Sequence, residues 1–439
     1  MNEIKVVKFG GSSLADANQF KKAAGIILSD PSRRYVIPSA PGKRFDGDEK
    51  VTDMLYRCHA MATAGEDISE YFDKIKARYN EIIVDLGLDF SLEDEFERIR
   101  VGILNRAGRD FAASRGEYLN GMILAKYLKF PFVDAANVIF FAEDRSFDAE
   151  ATNETLREAL SHYEYAVIPG FYGSTPNYTI KTFSRGGSDI TGSIVARAVK
   201  ADLYENWTDV SGFMVADPRI VKNPKPIETI TYSELRELSY MGATVLHEDA
   251  IFPVRIAGIP INIKNTNLPE DEGTMIVPAA PQAGAEHTIT GIAGKKGFSV
   301  LTIEKDMMNS QKGFVKKVLE AIEKCDLSFE HIPSGIDTMS IIVSTSDIAA
   351  KKEQLLVEIT EAVAPDHFSI EDGVALVAVV GRGMISTAGT AAKVFTALAD
   401  SDVNIRMIDQ GSSELNIIVG IAEFDFEKAV GAIYKKFVQ

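Results

Sequence analysis

Lys8 stands at the end of a short apolar run and is followed by Phe9 and then by Gly10, Gly11 and Ser12. Glycines let backbone N–H groups approach an anion, the helix expected from about residue 18 would present its positive end, and a lysine can neutralise a phosphoryl group during transfer. The spacing is not that of a Walker A loop. A tight strand-to-helix turn explains the two glycines alone more simply, but the lysine favours phosphate binding.

A second polar segment runs from Phe183 to Asp189 and leads into a helix predicted over residues 190–200. Arg185 can bind a carboxylate through its guanidinium fork, and Ser188 or Asp189 stands where a helix cap or an ammonium partner is needed. The alternative is a plain helix cap after a flexible loop. That alternative accounts for Ser188 and Asp189 but not for Arg185.

Polar residues also follow the apolar stretch that ends at Trp207. Thr208 and Asp209 come directly after it, and Asp217 and Arg219 flank a proline a few residues later. In open α/β folds ligands bind at the carboxyl ends of strands, so Thr208 and Asp209 are candidates for a binding site. Asp-Pro-Arg is also common turn chemistry, and a structural role explains it as well.

Glu117 precedes an apolar helix predicted over residues 119–126. Its carboxylate could hold an amino group. A lone glutamate at the start of a helix more often compensates the helix dipole. Glu117 by itself is therefore weak evidence for a substrate-binding site.

Short apolar runs that alternate with helical stretches must position these residues, and they indicate an α/β unit with a mainly parallel sheet. The predicted strands are Lys5–Phe9, Tyr35–Ser39, Ala166–Pro169, Leu203–Trp207 and Pro260–Lys264. Residues 66–130 are charged and helical in period, which predicts a helical insertion beside the sheet. Proline, glycine and alanine at 269–273 and 278–284 mark a domain boundary.

The chain after about residue 297 repeats itself. Gly297 matches Gly373 and Gly313 matches Gly389, an offset of 373 − 297 = 76 residues. Each copy has the strand and helix order of a ferredoxin-like fold. The second copy stops in its last helix at Gln439 and lacks one strand. Because an open sheet edge leaves backbone groups unpaired, we expect another segment to complete that sheet, with residues 287–293 as the donor.

Composition restricts the possible functions further. Lys and Arg total 47 against 63 Asp and Glu, a net charge of −16 without a basic patch, which argues against nucleic-acid or anionic-membrane partners. No apolar run approaches the roughly 18 residues of a membrane span. Two cysteines and an N-terminus without an export signal favour a reducing compartment, so we expect the cytoplasm.

Taken together, these segments resemble the aspartokinases of the amino-acid kinase family. The strings that carry the resemblance are KFGGSS from residue 8, SRGGSD from 184, WTDVSG from 207 and ADPR from 216, joined by shorter matches around residues 39, 51, 169 and 242. The repeat resembles the paired ACT domains of these enzymes. The implied fold is an amino-acid kinase-like (carbamate kinase-like) α/β domain, with a mainly parallel sheet sandwiched by helices, over residues 1–285. Two ferredoxin-like α+β ACT domains would follow, over 286–371 and 372–439.

The resemblance implies an enzyme that uses ATP and Mg²⁺ to phosphorylate the β-carboxylate of L-aspartate, the first step of lysine, threonine and methionine biosynthesis. Lys8, Arg185 and Asp189 would be catalytic. The residues implied to bind ATP are Lys8, Gly10, Gly11, Ser12, Thr208, Asp209, Asp217 and Arg219. Those implied to bind aspartate are Ser39, Thr52, Glu117, Phe171, Arg185, Ser188 and Asp189. The metal would be held mainly by the phosphates, without dedicated protein ligands.

A carboxylate acceptor simplifies the chemistry, because with an ordinary pKa near 4 it is ionised at neutral pH and needs no strong general base. The site must align two anions and neutralise their charge. An acetylglutamate, glutamate or UMP kinase, or an amino-acid sensor that has lost catalysis, are the alternatives. The repeat and the WTDVSG and ADPR strings argue against the first group, and the presence of Lys8, Arg185 and Asp189 argues against the second.

The ACT resemblance also implies feedback regulation, with lysine, threonine or both as effectors, and a homodimer or a tetramer built through these domains. The residues implied to bind the effector are Met308, Gln311, Gly313, Ser328, Phe329, Glu330 and Ser334, with Glu330 placed to receive a lysine ammonium group. The alternative is that the repeats only build an oligomer interface, since pockets at domain interfaces are common but not universal.

Overall fold

The computed structural model describes residues 3–184, 186–243, 246, 248–280 and 288–438, apart from the side chains of residues 248 and 249. Its backbone forms two compact units. The first contains residues 1–213, 226–232 and 244–280, and the second contains residues 214–225, 233–243 and 281–439. Two short segments, 214–225 and 233–243, therefore leave the first unit before the boundary near 280 that the sequence predicts.

The first unit is built on a mainly parallel sheet. Its strands are β1 (Lys5–Phe9), β2 (Arg33–Pro38), β3 (Ala166–Val167), β6 (Leu203–Thr208), β7 (Thr229–Thr231), β8 (Ile261–Asn265) and β9 (Thr274–Val277), in the order β3-β2-β1-β6-β8-β9-β7. Only the β8–β9 pairing is antiparallel among the described pairs of this sheet. A hairpin of β4 (Tyr172–Ser174) and β5 (Ile180–Thr182) stands apart. Val6, Val7 and Phe9 are fully buried, as expected of a central strand covered on both faces.

Helices cover this sheet and form the predicted insertion. They are α1 (Ala17–Leu28), α2 (Val51–Ala64), α3 (Ser69–Asp85), α4 (Glu93–Leu104), α5 (Arg109–Leu128), α6 (Ala149–Ser161), α7 (Gly187–Val199) and α9 (Glu248–Ala257). A further helix, α8 (Tyr232–Tyr240), follows β7 in the chain. Only the first residue of α8 belongs to the first unit. Phe72, Ile75 and Tyr79 of α3 pack with Phe96 and Ile99 of α4 in one buried cluster. The α/β prediction is confirmed, as is the helical prediction for residues 66–130.

The sequence prediction for the start of α5 was wrong. The helix begins at Arg109, so Glu117 lies in its interior and is not a dipole-compensating residue of the first turn. Gly116 lies within this helix and faces the loop after β2, where an added Cβ would lie 2.8 Å from the Cβ of Ala40. A close helix-to-loop approach, rather than a helix boundary, explains this glycine.

The second unit is built on an antiparallel sheet. Its elements are β10 (Gly291–Glu304), α10 (Phe314–Lys324), β11 (Thr338–Ser344), α11 (Thr345–Ile348), α12 (Lys352–Val363), β12 (His367–Val380), α13 (Thr390–Ala399), β13 (Ile405–Asp409), β14 (Asn416–Ala422) and α14 (Phe426–Val438). The strands follow the order β11-β10-β12-β14-β13. The α+β prediction for this part of the chain is confirmed.

The two repeats share this sheet through their long strands. The second half of β10 pairs with β11 and with the start of β12, whereas Gly291–Lys295 at its first half pair with Leu376–Val380 at the end of β12. The second repeat therefore receives a strand from a segment that precedes the first. Residue 287, where the sequence places the start of that donor, lies outside the described residues.

Backbone conformation follows the 76-residue repeat closely. Gly297 and Gly373 have φ of 86° and 78°, and Gly313 and Gly389 have φ of 81° and 84°. The same agreement holds for a pair of non-glycine residues in the left-handed region, because Asp326 and Asp402 have φ of 49° and 50°. Within the described part of the chain, no helix combines the length and hydropathy needed to cross a membrane.

Candidate functional site

The predicted site residues of the first unit gather where the parallel strands end. The loops after β1, β2 and β3 are joined by backbone hydrogen bonds there. Gly10 N–H donates to Trp207 O at 2.9 Å, Ser39 N–H donates to Phe9 O at 3.1 Å, and Gly170 N–H donates to the carbonyl of Pro38 at 3.1 Å. This carboxyl edge of the sheet is the usual ligand-binding edge of an open α/β fold.

Lys8 and Asp189 form an ion pair at this edge. The Lys8 Nζ lies 2.6 Å from the Asp189 Oδ1, and Asp189 stands in the first turn of α7. The side chains are only 9% and 17% exposed, so water screens this pair far less than a surface pair. Two residues predicted to be catalytic are thus in direct contact.

Asn206 completes this cluster and was missed by the sequence reasoning. Its Nδ2 donates to Asp189 Oδ1 at 2.9 Å, and its Oδ1 lies 3.4 Å from the Lys8 Nζ. Asn206 lies directly beside Lys8 in the register of β1 and β6. Its signal in the sequence was a polar residue beside Trp207 in a predicted strand, but only the register shows what it faces.

The glycine loop packs against the loop that follows β2. Gly42 N–H donates to Gly11 O at 2.8 Å, and a Cβ on Gly42 would lie 2.6 Å from the carbonyl carbon of Gly11 and 2.7 Å from the nitrogen of Ser12. The two backbones therefore touch without space for a side chain. Ser12 begins a short 3-10 turn, and α1 starts only at Ala17.

The expectation that α1 offers its positive end to an anion was wrong. Asp16 caps that helix and accepts a hydrogen bond from Gln19 N–H at 2.9 Å. A carboxylate of the chain itself thus occupies the position that a ligand anion would need. The glycine loop and Lys8 remain the groups predicted to bind phosphate.

Arg78 of α3 holds both loops in place and was not singled out from the sequence. Its Nη2 donates to the carbonyls of Ala15 and Gly42 at 3.1 and 2.6 Å, and its Nη1 pairs with Asp48 at 2.9 Å. The side chain is 5% exposed, and burial lowers the pKa of Arg78. Hydrogen bonds from Arg44 hold the pKa of Asp48 well below its usual range. The helical insertion thereby fixes the geometry of the glycine loop.

Glu117 is a buried carboxyl group directed at the same edge. It is 6% exposed, and its Oε2 has no hydrogen-bond partner among the described residues. Burial raises the pKa of Glu117 to about 8, against the opposing effect of a hydrogen bond from the backbone of Ala40. A buried acceptor without a partner is costly, so a cationic or hydrogen-bonding ligand is expected to satisfy it.

Ser39 and Thr52 lie near the segment of α5 that carries Glu117. Asn120, one turn beyond Glu117 on α5, donates from its Nδ2 to Ser39 O at 2.7 Å. The Thr52 Oγ1 lies 3.7 Å from the position of a Cβ on Gly116. Ser39 and Thr52, two of the four residues predicted to complete an aspartate pocket, therefore lie beside the part of α5 that carries Glu117. Asn120 adds a backbone anchor that the sequence did not reveal.

Phe171 and Ser188 meet where the loop after β3 contacts the start of α7. Phe171 has φ of 82°, a left-handed conformation that is rare for an aromatic residue, and its N–H donates to Thr191 Oγ1 at 3.0 Å. A Cβ on Gly170 would lie 2.6 Å from the Ser188 Oγ. Arg185, predicted to bind a carboxylate, lies outside the described residues, as do Thr244, Val245 and His247 of the string at 242–247.

The predicted nucleotide residues divide between the two units. Thr208 ends β6, its carbonyl accepts from Thr266 N–H at 2.9 Å, and its Oγ1 donates to the exposed Asp209 at 3.2 Å. Asp217 and Arg219 belong to the second unit and pair with each other at 2.6 Å. Hydrogen bonds from Arg219 lower the pKa of Asp217.

The predicted effector residues lie in the first repeat of the second unit. Met308 is buried in a 3-10 turn, Gln311 and Gly313 lead into α10, and Ser328, Phe329 and Ser334 are exposed. Two hydrogen bonds tie these loops together, from Asn309 N–H to Ile336 O and from Met307 N–H to the Asp337 carboxylate, at 3.2 and 2.9 Å.

Glu330, the residue predicted to receive an ammonium group, has a partner in this unit. The hydroxyl of Tyr240, the last residue of α8, hydrogen bonds to its carboxylate. Burial, together with that bond, raises the pKa of Tyr240 to about 12. An incoming ammonium group would have to share or replace the tyrosine hydroxyl.

Comparison with known families agrees with these two units. Residues 3–265 match the family model described as the amino acid kinase family, and residues 377–437 match an ACT domain model. The chain is 37% identical to aspartokinase 3 of Bacillus subtilis over 99% of its own length and 98% of that protein.

Solved structures give the same result. A crystal structure of Clostridium acetobutylicum aspartate kinase is 55% identical, with a TM-score of 0.93 over 99% of this chain and 100% of that one. Escherichia coli aspartokinase III has been solved with aspartate and ADP, and with lysine and aspartate. Both structures are 26% identical over the full length of each chain, with TM-scores of 0.77 and 0.75.

Proposed function

Because the chain belongs to the amino acid kinase family and, within it, to the aspartokinases, we propose that it transfers the γ-phosphoryl group of ATP to the β-carboxylate of L-aspartate, forming 4-phospho-L-aspartate. One observation carries the proposal in this chain. The buried carboxyl group of Glu117, with an unpartnered oxygen among the described residues, lies at the same sheet edge as the Lys8–Asp189 pair. The ammonium group of an amino acid can pair with Glu117 while its side-chain carboxylate meets the phosphates of a nucleotide beside Lys8.

Each charged residue is assigned to a substrate group of opposite charge. Glu117 takes the substrate ammonium group, Ser39 and Thr52 line the space beside it, and Lys8 neutralises charge on the phosphoryl group with backbone donors of the glycine loop. Arg185 is our candidate for the α-carboxylate because a guanidinium fork matches that group. The acceptor carboxylate is already ionised, so the site needs no general base.

Mg²⁺ is proposed to arrive with the nucleotide. Among the described residues no three His, Cys, Asp or Glu side chains are grouped as a metal site. Mg²⁺ in nucleotide sites usually keeps several waters and is bound by substrate phosphates together with one or two protein carboxylates. Asp209, exposed at the end of β6, is the carboxylate we assign to that role. The bound ion would neutralise phosphate charge.

The alternatives among related kinases differ in what they would offer Glu117. Acetylglutamate carries a neutral amide in place of the ammonium group, and a buried carboxylate would gain no charge pairing from it. UMP carries no amine of this kind. Glutamate is the stronger rival because it differs from aspartate by one methylene, for which a pocket discriminates by only about 1–3 kcal/mol.

We further propose feedback control through the first repeat. Escherichia coli aspartokinase III binds lysine, and Glu330 offers this chain a carboxylate for a lysine ε-ammonium group. Lysine, threonine or both are the candidate effectors, and a homodimer or a tetramer formed through the repeats is the assembly we expect. The domain limits 1–285, 286–371 and 372–439 and a cytoplasmic location are retained as parts of this proposal.

A coupled ADP-release assay tests the proposed function. The full-length protein is supplied with Mg-ATP and, in separate reactions, with aspartate, glutamate, acetylglutamate or UMP. We expect turnover with aspartate and at least tenfold less with glutamate. Each reaction is repeated with lysine, threonine or both. No turnover with aspartate would refute the proposal, and turnover that no effector changes would refute its regulatory part.

A further inference from the structure

Asn206 touches both members of the ion pair that we place at the centre of phosphoryl transfer. It is 4% exposed, and its amide presents a donor to the Asp189 carboxylate at 2.9 Å and an acceptor toward the Lys8 ammonium at 3.4 Å. The two polar ends of one neutral side chain thus face opposite charges. A side-chain amide offers both a donor and an acceptor, on two separate atoms, without adding charge.

The strand register makes this contact specific. Lys8 and Asn206 are directly paired on the adjacent parallel strands β1 and β6, so their side chains leave the same face of the sheet. On the neighbouring strand β8, Ile263 occupies the paired position. Asp189 lies in the first turn of α7, which packs on this face of the sheet. The hydroxyl of Tyr204 donates to the backbone carbonyl of Asp189 at 3.2 Å. Tyr204 therefore holds the backbone carbonyl of Asp189, and Asn206 holds its side-chain carboxylate.

An ion pair alone does not fix the direction of a lysine. A carboxylate with two equivalent oxygens can rotate and carry the ammonium group with it, and a closely held ammonium group is drawn away from phosphate. The Asn206 Nδ2 donates to Asp189 Oδ1, the same oxygen that lies 2.6 Å from the Lys8 Nζ. A donor fixed on that oxygen restricts the rotation at no cost in net charge.

We propose that Asn206 is a positioning residue for phosphoryl transfer: it orients Asp189 so that the Lys8 ammonium group stays directed at the transferring phosphoryl group. This inference rests on the proposed function and adds a residue to its machinery. Asn206 itself would touch neither substrate nor nucleotide. Its loss should therefore lower kcat while the KM for aspartate changes little.

Three variants of the full-length protein test the inference. Asn206→Leu removes both polar contacts and keeps the number and branching of the side-chain heavy atoms. Asn206→Asp keeps the shape but places a second carboxylate beside Asp189, and two adjacent carboxylates favour sharing one proton, which restores a donor at low pH. Asn262→Leu is the matched control, because Asn262 lies on β8 in register with Glu205, on the opposite face of the sheet. Thermal unfolding establishes that each variant is folded.

The expected result has two parts. Asn206→Leu should lower kcat by roughly 10- to 100-fold, while the KM for aspartate stays within about threefold of the wild-type value. This loss of kcat is somewhat smaller than the loss expected when a direct transition-state donor is removed. For Asn206→Asp, the ratio of variant to wild-type kcat at saturating substrates should rise as pH falls from 8.5 to 6. A residue that only supports the fold would give a loss without this pH dependence.

The inference is overturned by folded Asn206 variants with wild-type kcat at every pH. A pH-independent loss in Asn206→Asp, or an equal loss in Asn262→Leu, also overturns it. If Asn206→Leu does not fold, the isosteric Asn206→Asp variant decides through its pH profile alone. Absence of aspartate-dependent turnover in the wild-type protein would instead refute the proposed function on which the inference rests.

Discussion

The Lys8 ammonium group lies 2.6 Å from the Asp189 carboxylate at the carboxyl edge of the parallel sheet. Phosphoryl transfer to a carboxylate brings two anions together, so a cation poised at this edge acts mainly on the transition state. Removing it should therefore affect turnover more than substrate binding.

Lys8→Ala is expected to lower kcat by roughly 100-fold or more while the KM for aspartate changes only a few-fold, because the lost charge acts on the phosphoryl group. Steady-state kinetics with both substrates varied measure this. Lys5→Ala is the matched control, since Lys5 lies on the same strand and pairs with Asp30 at 2.8 Å. A Lys8 variant that changes only the KM for aspartate would show that the roles are wrongly assigned.

Glu117 should make aspartate binding depend on pH. Burial raises its pKa to about 8, so the carboxyl group is mostly protonated at pH 7 in the free protein. Binding of an ammonium group requires the ionised form, so affinity for aspartate should increase as pH rises from about 6.5 to about 8.5, with proton release. Calorimetry at pH 7 in buffers of different ionisation enthalpy measures that release.

Glu117→Gln is the matching variant for this prediction. It should weaken aspartate binding by about tenfold or more and abolish proton release. Because the folded pKa lies above the ordinary value of 4.5, the wild-type group loses its stabilising contribution as pH rises towards about 8. The Gln variant should therefore have the higher Tm at pH 8. Equal proton release in both proteins would contradict the assignment.

The contact between Gly42 and the glycine loop predicts a sharp difference between two glycines. Gly42→Ala would place a Cβ 2.6 Å from Gly11 and should lower kcat/KM for ATP by about tenfold or more, because small misplacements of binding groups are costly. Gly25→Ala lies in α1 with no atom within 4 Å of the new Cβ. It should leave kinetics unchanged and raise the free energy of unfolding by about 0.5–1 kcal/mol. Similar kinetics for the two variants would count against the loop geometry.

Glu330 should govern effector sensitivity. Glu330→Gln removes the charge offered to an ammonium group. It should raise the lysine concentration for half-inhibition by roughly 10- to 150-fold, which corresponds to the roughly 1.5–3 kcal/mol of a charged hydrogen bond. Inhibition curves at fixed aspartate measure the change. Glu320→Gln, an exposed helical residue paired with Lys316, is the control. Equal inhibition of both variants and the wild type would place the effector site elsewhere.

Much of the architecture was predictable because burial leaves a strong pattern. The short apolar segments within β1, β2 and β6 predicted the positions of these strands to within a residue or two. The 76-residue offset in the sequence is matched by nearly equal φ angles at paired positions such as Asp326 and Asp402. Strands β7 and β9 were missed because they are short, Thr-rich or placed among prolines and glycines, where local sequence favours loops.

The site was only partly predictable, for a different reason. Lys8, Asp189 and Glu117 were identified from residue type, but Asn206, Arg78 and Asn120 act through partners that are distant in the sequence. Asn206 needs the β1–β6 register, and Arg78 needs the packing of α3 against two loops. The helix start before Glu117 was misjudged because Gly116 resembles a boundary when its contact with Ala40 is unknown.

Trapping of the reaction product tests the central claim most directly. The wild-type protein is incubated with Mg-ATP, aspartate and hydroxylamine, which converts an acyl phosphate into a hydroxamate that mass spectrometry identifies. We predict the β-hydroxamate of aspartate in amounts matching ADP, and its loss in Lys8→Ala. ADP release without a hydroxamate, or a hydroxamate formed from glutamate or acetylglutamate but not from aspartate, would contradict the account.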